Sequence, residues 1–214
     1  VINAQLTGTS NSVNGRGLFA GGDEGGQSNE IQYITISSTG NTSDFGNLTQ
    51  ARAMPGGCSN GTNERGVWSS GMESGGPVNT IDYVTISNLG NATDFGDDTG
   101  TNRLVGGTSN NTNERGIFVG GRDENGNRVS AIRYITINTT GNATAFGVMT
   151  VSADYVAANS NGTNDRGVFG GLYPGSFTNV IEYITISTTA NSVDFGDLTL
   201  ARSGPFGSSN GPSE

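Results

Sequence analysis

Ile181-Glu-Tyr-Ile-Thr-Ile186 decides the fold, because nearly the same six residues stand at Ile31–Ile36, Ile81–Ile86 and Ile132–Ile137. Side chains alternate across a strand, so Ile31, Tyr33 and Thr35 face one way while Gln32, Ile34 and Ile36 face the other. Apolar residues on both faces suit a strand in the middle of a sheet that is covered on both sides. Upstream of each copy stands a second strand-like run: Arg16-Gly-Leu-Phe19, Arg65-Gly-Val-Trp68, Arg115-Gly-Ile-Phe118 and Arg166-Gly-Val-Phe169. Downstream stands an aromatic–glycine pair: Asp44-Phe45-Gly46, Asp94-Phe95-Gly96, Ala145-Phe146-Gly147 and Asp194-Phe195-Gly196. The sentence is therefore repeated four times with a period of about 50 residues, a length typical of propellers, solenoids and arrays.

Each copy reads as four short antiparallel strands joined by Asn/Ser/Thr/Gly turns such as Ser37-Ser-Thr-Gly-Asn-Thr-Ser43. Strand b is the Arg-Gly run, strand c the Ile-x-Tyr phrase, strand d the segment around Phe-Gly, and strand a a segment such as Ala51–Gly57. Four such strands make one propeller blade. Counted from strand b, the copies span about 15–63, 64–113, 114–164 and 165–214, all within one repeat domain, residues 1–214. Residues 1–14 then hold an extra strand a, and Ala201–Phe206 reads as a closing one. One strand a is thus surplus to a four-blade ring. The surplus end is either a linker or the edge of a larger ring or array that meets another chain, since exposed strand edges invite pairing.

Composition narrows the function. The apolar fraction is 32% and 36 residues are glycine, so apolar surface must be buried in thin regular layers rather than one deep core. A net charge of −9 argues against nucleic acid or an anionic membrane as partner. No run of 18 apolar residues is present and membrane insertion is not expected; Val1–Thr9 does not read as a signal peptide. All ten basic residues are arginine. The single cysteine, Cys58, rules out an internal disulfide and a multi-cysteine metal site. The chain has no histidine, which removes the usual general base and the Ser-His and Cys-His pairs, so the expectation is that it is not an enzyme. Asp-Phe-Gly here has no kinase catalytic-loop or lysine partner, and the glycine-rich stretches lack a phosphate-loop Lys-Ser/Thr.

The order of landmarks resembles the kelch motif. Phe19-Ala-Gly21-Gly22 and Phe118-Val-Gly120-Gly121 supply the double glycine after strand b, and Leu48–Arg52 and Leu198–Arg202 supply the arginine near strand a. The chain departs by placing Phe45, Phe95, Phe146 and Phe195 where that family has tryptophan, and Asn102 and Ala153 where Arg52 and Arg202 stand. The resemblance implies an all-β, kelch-like β-propeller of four four-stranded blades of about 50 residues, whether a closed ring, an open one or part of a larger ring. The fuller wording, Arg-Gly-Val-Phe-Gly-Gly followed by Ile-x-Tyr-Ile-Thr-Ile and Asp-Phe-Gly-Asp-Leu-Thr, is similar to repeats in virion and tail-associated proteins of bacteriophages. It implies a structural or recognition module in a tail fibre, tail tip or capsid surface, with a virion or extracellular location. Other virion or assembly proteins, a second copy of the chain, or a host surface glycan are the expected partners.

Constant residues read as scaffold: Arg16, Arg65, Arg115 and Arg166; Tyr33, Tyr83, Tyr134 and Tyr183; Phe45, Phe95, Phe146 and Phe195. The natural partners for the arginines are Asp44, Asp94 and Asp194, with Ala145 breaking the pattern in copy three. The copies differ most between strands b and c, where repeat proteins place their binding loops. Asp23, Glu24, Glu73, Arg122, Asp123, Arg128, Tyr173 and Phe177 are the candidate ligand-binding residues there. The aromatics suit stacking on a sugar and the carboxylates suit its hydroxyls, which makes a lectin-like domain the second reading and a propeller glycosidase a weaker third. No cofactor is expected. Asp123-x-Asn125-x-Asn127 resembles part of a calcium loop but lacks its distal glutamate. Sequons at Asn47, Asn60, Asn91, Asn110, Asn142 and Asn161 read as products of turn composition.

Overall fold

The computed structural model describes residues 5–10, 15–59, 64–110, 114–160 and 165–204. They form four antiparallel sheets of four strands each, an all-β arrangement consistent with propeller-like blades. Sheet I contains β1 (Thr7–Ser10), β2 (Arg16–Ala20), β3 (Glu30–Thr35) and β4 (Ser43–Asn47); sheet II contains β5 (Gly56–Ser59), β6 (Arg65–Glu73), β7 (Gly76–Thr85) and β8 (Thr93–Asn102). Sheet III contains β9 (Gly106–Ser109), β10 (Arg115–Val119), β11 (Ala131–Thr136) and β12 (Thr144–Val148); sheet IV contains β13 (Ala157–Asn159), β14 (Arg166–Gly170), β15 (Thr178–Thr185) and β16 (Val193–Arg202).

Strands follow one another within each sheet in the order a, b, c, d, which shifts the phase read from sequence. Strand a joins the b, c and d that follow it, so Thr7–Ser10 is the first strand of sheet I and not an extra one. The reason is local: strand a forms a hairpin with b, while the segment after d leaves its sheet and crosses to the next. At the other end, Ala201 and Arg202 extend β16, with Arg202 opposite Thr178, and 205–206 lie outside the described residues.

Burial happens between sheets. Leu18, Ile31, Phe45 and Leu48 of sheet I pack on Trp68, Val84 and Ile86 of sheet II. Cys58, Val67, Ile81 and Phe95 of sheet II pack on Phe118, Ile135 and Ile137 of sheet III. Ile117, Ile132, Phe146 and Met149 of sheet III pack on Phe169, Ile184 and Ile186 of sheet IV. The two faces of strand c thus serve two different neighbours: Ile81 looks forward to sheet III and Val84 back to sheet I.

Polar contacts fix the spacing. Arg16, Arg65 and Arg115 each donate across the gap to the carbonyl of Ile86, Ile137 and Ile186, at 2.7, 2.7 and 2.8 Å. These backbone acceptors replace the strand-d aspartates that the sequence pointed to. Each guanidinium also lies over the tyrosine of its own sheet (Arg65 4.4 Å from the Tyr83 centroid), and that tyrosine meets the strand-d phenylalanine edge-on. The same Arg–Tyr–Phe row crosses every sheet. Strand d is latched to the next sheet through its backbone: Gly90 N and Ala92 N donate to Phe45 and Asn47, and Asn47 N donates to the Asn91 side chain. Glycine is required at this crossing, because a Cβ on Gly46 would sit 2.3 Å from the Gly90 oxygen.

Buried polar side chains stand in each gap. Asp82 accepts from Arg52, Thr49 N and Thr49 Oγ1; Arg133 binds both oxygens of Asp98; Glu182 takes Thr150 N and the Thr150 and Ser192 hydroxyls. Burial lowers the Arg52 pKa and the Asp82 charge opposes that shift. Cys58, in the gap between sheets II and III, is pushed by burial from an ordinary 9.0 up to about 12. The folded state therefore holds the neutral thiol. Its contribution to stability is complete below the unfolded pKa and declines as pH rises from 9.0 toward and through the folded value. Native protein at pH 8 is expected to resist iodoacetamide while urea-unfolded protein is alkylated; rapid native labelling would contradict the packing described.

Candidate functional site

The first strands of the four sheets stand side by side, β1 beside β5, β5 beside β9 and β9 beside β13. Together with the residues that precede them they line one cavity of about 330 Å³. Its rim carries Gln5, Met54, Leu104 and Tyr155, the same position in each copy, and all four have left-handed backbones with φ of 64, 59, 60 and 54°. Such conformations are costly for residues with side chains and persist where the surroundings over-determine them. A backbone staircase does so here: Met54 N donates to Gln5 O and Leu104 N to Met54 O. The rim was not legible from the repeat because its side chains differ in every copy; the constant feature is the backbone.

The b–c loops lie beside the d–a crossings. Isolated bridges join Ala53 to Met72, Arg103 to Arg122 and Asp154 to Tyr173, each linking a crossing to the b–c region of the following sheet. This places the loops of sheets III and IV on either side of Asp154, which is fully buried. Its two oxygens accept from Arg122 Nε and from Arg128 Nε, the latter at 3.2 Å. The Arg128 guanidinium lies 4.8 Å from the Tyr173 centroid. Tyr173 in turn meets Phe177 at 5.9 Å and Tyr155 at 6.4 Å. Tyr155 therefore belongs both to the cavity rim and to the loop cluster, and joins them into one surface.

Of the residues singled out from sequence, Arg122, Arg128, Tyr173 and Phe177 come together here. Asp123 sits in the same loop as Arg122, but its carboxylate is used locally. It accepts from Asn125 N, Asn127 N and Asn127 Nδ2. Desolvation raises its pKa, and these hydrogen bonds together with the Arg103 charge outweigh that and hold it below the ordinary value. A loop that caps its own carboxylate in this way is a turn device. Asp23 does likewise, accepting from Gly25 N, and Glu24 follows it in the sheet I loop. Glu73 stands opposite Gly76 at the tip of the β6–β7 hairpin. These three belong to sheets I and II, away from the aromatic cluster. No group of three or more His, Cys, Asp or Glu side chains placed to hold a metal occurs among the described residues.

Asp154 and Tyr155 were missed from sequence. Asp154 follows Ala153 at a crossing, and nothing local marks it as the anchor of two arginines seated 32 and 26 residues away in sequence. The cluster can do two things chemically. Phe177 and Tyr155 offer exposed ring faces and edges. Two guanidiniums share the Asp154 carboxylate, with Asp123 and Glu124 in the same loop, so the cluster offers guanidinium N–H donors suited to hydroxyl groups without a net positive charge. No model of a known protein family matches the chain, and no curated protein matches it.

Asp154→Asn keeps the shape and removes the charge that holds both arginines. We expect a loss of about 1.5–3 kcal/mol in urea unfolding, the range for hydrogen bonds to charged groups. An unchanged midpoint would show that Arg122 and Arg128 are not held by Asp154.

Proposed function

We propose that the chain is a kelch-like β-propeller, or a segment of one, that works without turnover, as a structural and recognition module of a virus particle or other extracellular assembly. One observation carries the reading. The side chains repeated in every copy are spent mainly on the frame and its sheet-to-sheet contacts, and varied ones of sheets III and IV converge on one surface around Arg128, Tyr155, Tyr173 and Phe177. A constant frame with individually varied loops on one side is how repeat proteins present a binding surface. The likeness of the repeat wording to phage tail-associated proteins supports a place on the particle exterior, at a tail fibre, tail tip or capsid surface.

The cluster favours a lectin-like variant of this reading. An exposed Phe177 beside Tyr173 provides a stacking platform, and Arg128 against the same ring provides donors at its edge. A host surface glycan with hydroxyl-rich sugars fits that pairing. Binding to a glycan array is expected, and Phe177→Ala is expected to weaken it about tenfold, equivalent to ~1.4 kcal/mol, with the fold unchanged by circular dichroism. Absence of binding to any glycan would sink the lectin variant; release of sugar from a polysaccharide would sink the non-enzymatic reading itself.

A further inference from the structure

Three gaps separate four sheets, so two apolar faces are left over, and each is one half of the same kind of gap. On the forward face of sheet IV, Phe195 is 51% exposed, whereas Phe45, Phe95 and Phe146 at the same position are 2, 2 and 4% exposed. On the backward face of sheet I, Ile36 is 57% exposed, whereas Ile86, Ile137 and Ile186 are 0%. Val168, Ile181 and Leu198 on the one side, and Phe19 and Ile34 on the other, are partly uncovered where most of their counterparts are buried.

The polar fittings are unused in the same way. Arg166 already lies over Tyr183 at 4.7 Å, and Tyr183 meets Phe195, so the Arg–Tyr–Phe row is set. Yet Arg166 has no carbonyl acceptor among the described residues, where its three counterparts have one. Gly196 keeps φ at +138°, as Gly46 and Gly96 do at +147° and +142°, but a Cβ on it would meet nothing within 4 Å. At the other end Gly40, Asn41 and Thr42 receive no strand d among the described residues, where Gly90, Asn91 and Ala92 bind strand d of the preceding sheet.

We propose that sheet IV of one copy docks on sheet I of a second copy, head to tail, and forms a fourth gap equivalent to the three within the chain. Arg166 then donates to the carbonyl of the partner's Ile36. Asp197 N donates to the side chain of the partner's Asn41, while the partner's Gly40 N and Thr42 N donate to Phe195 O and Asp197 O. Phe195 packs over the partner's Ile36 and Ile34. The established gaps are the argument for this occupant, since every slot on either face is filled by a residue of the opposite face in a neighbouring repeat. The partner's Gln32 takes the place of Asp82, Arg133 and Glu182, so that slot of the new gap holds a neutral side chain. The two faces differ, so the contact is heterologous and continues into a ring or an open array. The inference does not depend on glycan recognition.

Light scattering of wild-type protein across a wide concentration range is the first test, and a multiple of the chain mass is expected. Phe195→Arg disables the forward face and Ile36→Arg the backward face. Both positions are exposed in the single chain, so both variants should fold. Each alone should be monomeric, and an equimolar mixture should form a 1:1 dimer, because one good face of each kind remains. Wild type that stays monomeric at every concentration would overturn the proposal, whether the faces are free or close on each other within one chain. Either variant dimerising alone would also overturn it, by showing a like-with-like contact.

Discussion

Everything in this protein depends on the gap between sheets. A four-stranded sheet of about 45 residues, rich in glycine and apolar on both faces of strand c, has no interior of its own. It acquires one only when Leu18, Ile31 and Phe45 meet Trp68, Val84 and Ile86, and when the same meeting recurs twice more. Burial at roughly 25 cal/mol per Å² gives the attraction. The arginine-to-carbonyl bridge and the strand-d latch give the register. Glycine at the crossing lets the two backbones approach, and this is why a chain with 36 glycines still packs closely.

That dependence separates scaffold from surface. Residues in the gaps are held by geometry and repeat in kind. Residues at the cavity rim and in the b–c loops are held by backbone and are free to differ, so Gln5, Met54, Leu104 and Tyr155 share one strained conformation with four unlike side chains. Asp154 shows how a varied position becomes a site. It takes up two arginines from a neighbouring loop and sets one of them against Tyr173.

Much of this was legible in the chain. Strands b, c and d follow from Arg-Gly, Ile-x-Tyr-Ile-Thr-Ile and Phe-Gly, because alternation and turn chemistry are local. The partner of each arginine was not legible, because a main-chain carbonyl of the next sheet leaves no mark in sequence; the nearby aspartates were the visible but wrong acceptors. Asn91 and Asn142 were read only as sequons arising from turn composition, and the equivalent Asn191 was not singled out. Their side chains in fact accept from Asn47, Asp97 and Val148 across the gap. The phase of strand a was misread because repeats can be cut anywhere in sequence, and only the sheet pairing shows where one ends.

The central claim is that the inter-sheet bridge, rather than anything within a sheet, makes these arginines structural. Comparing urea unfolding of Arg65→Ala and Arg166→Ala in dilute protein tests it directly. Both lose the stack on their own tyrosine, but only Arg65 loses a bridge to the next sheet. The account predicts a loss of about 1.5–3 kcal/mol for Arg65→Ala and well under half of that for Arg166→Ala. Equal losses would contradict it.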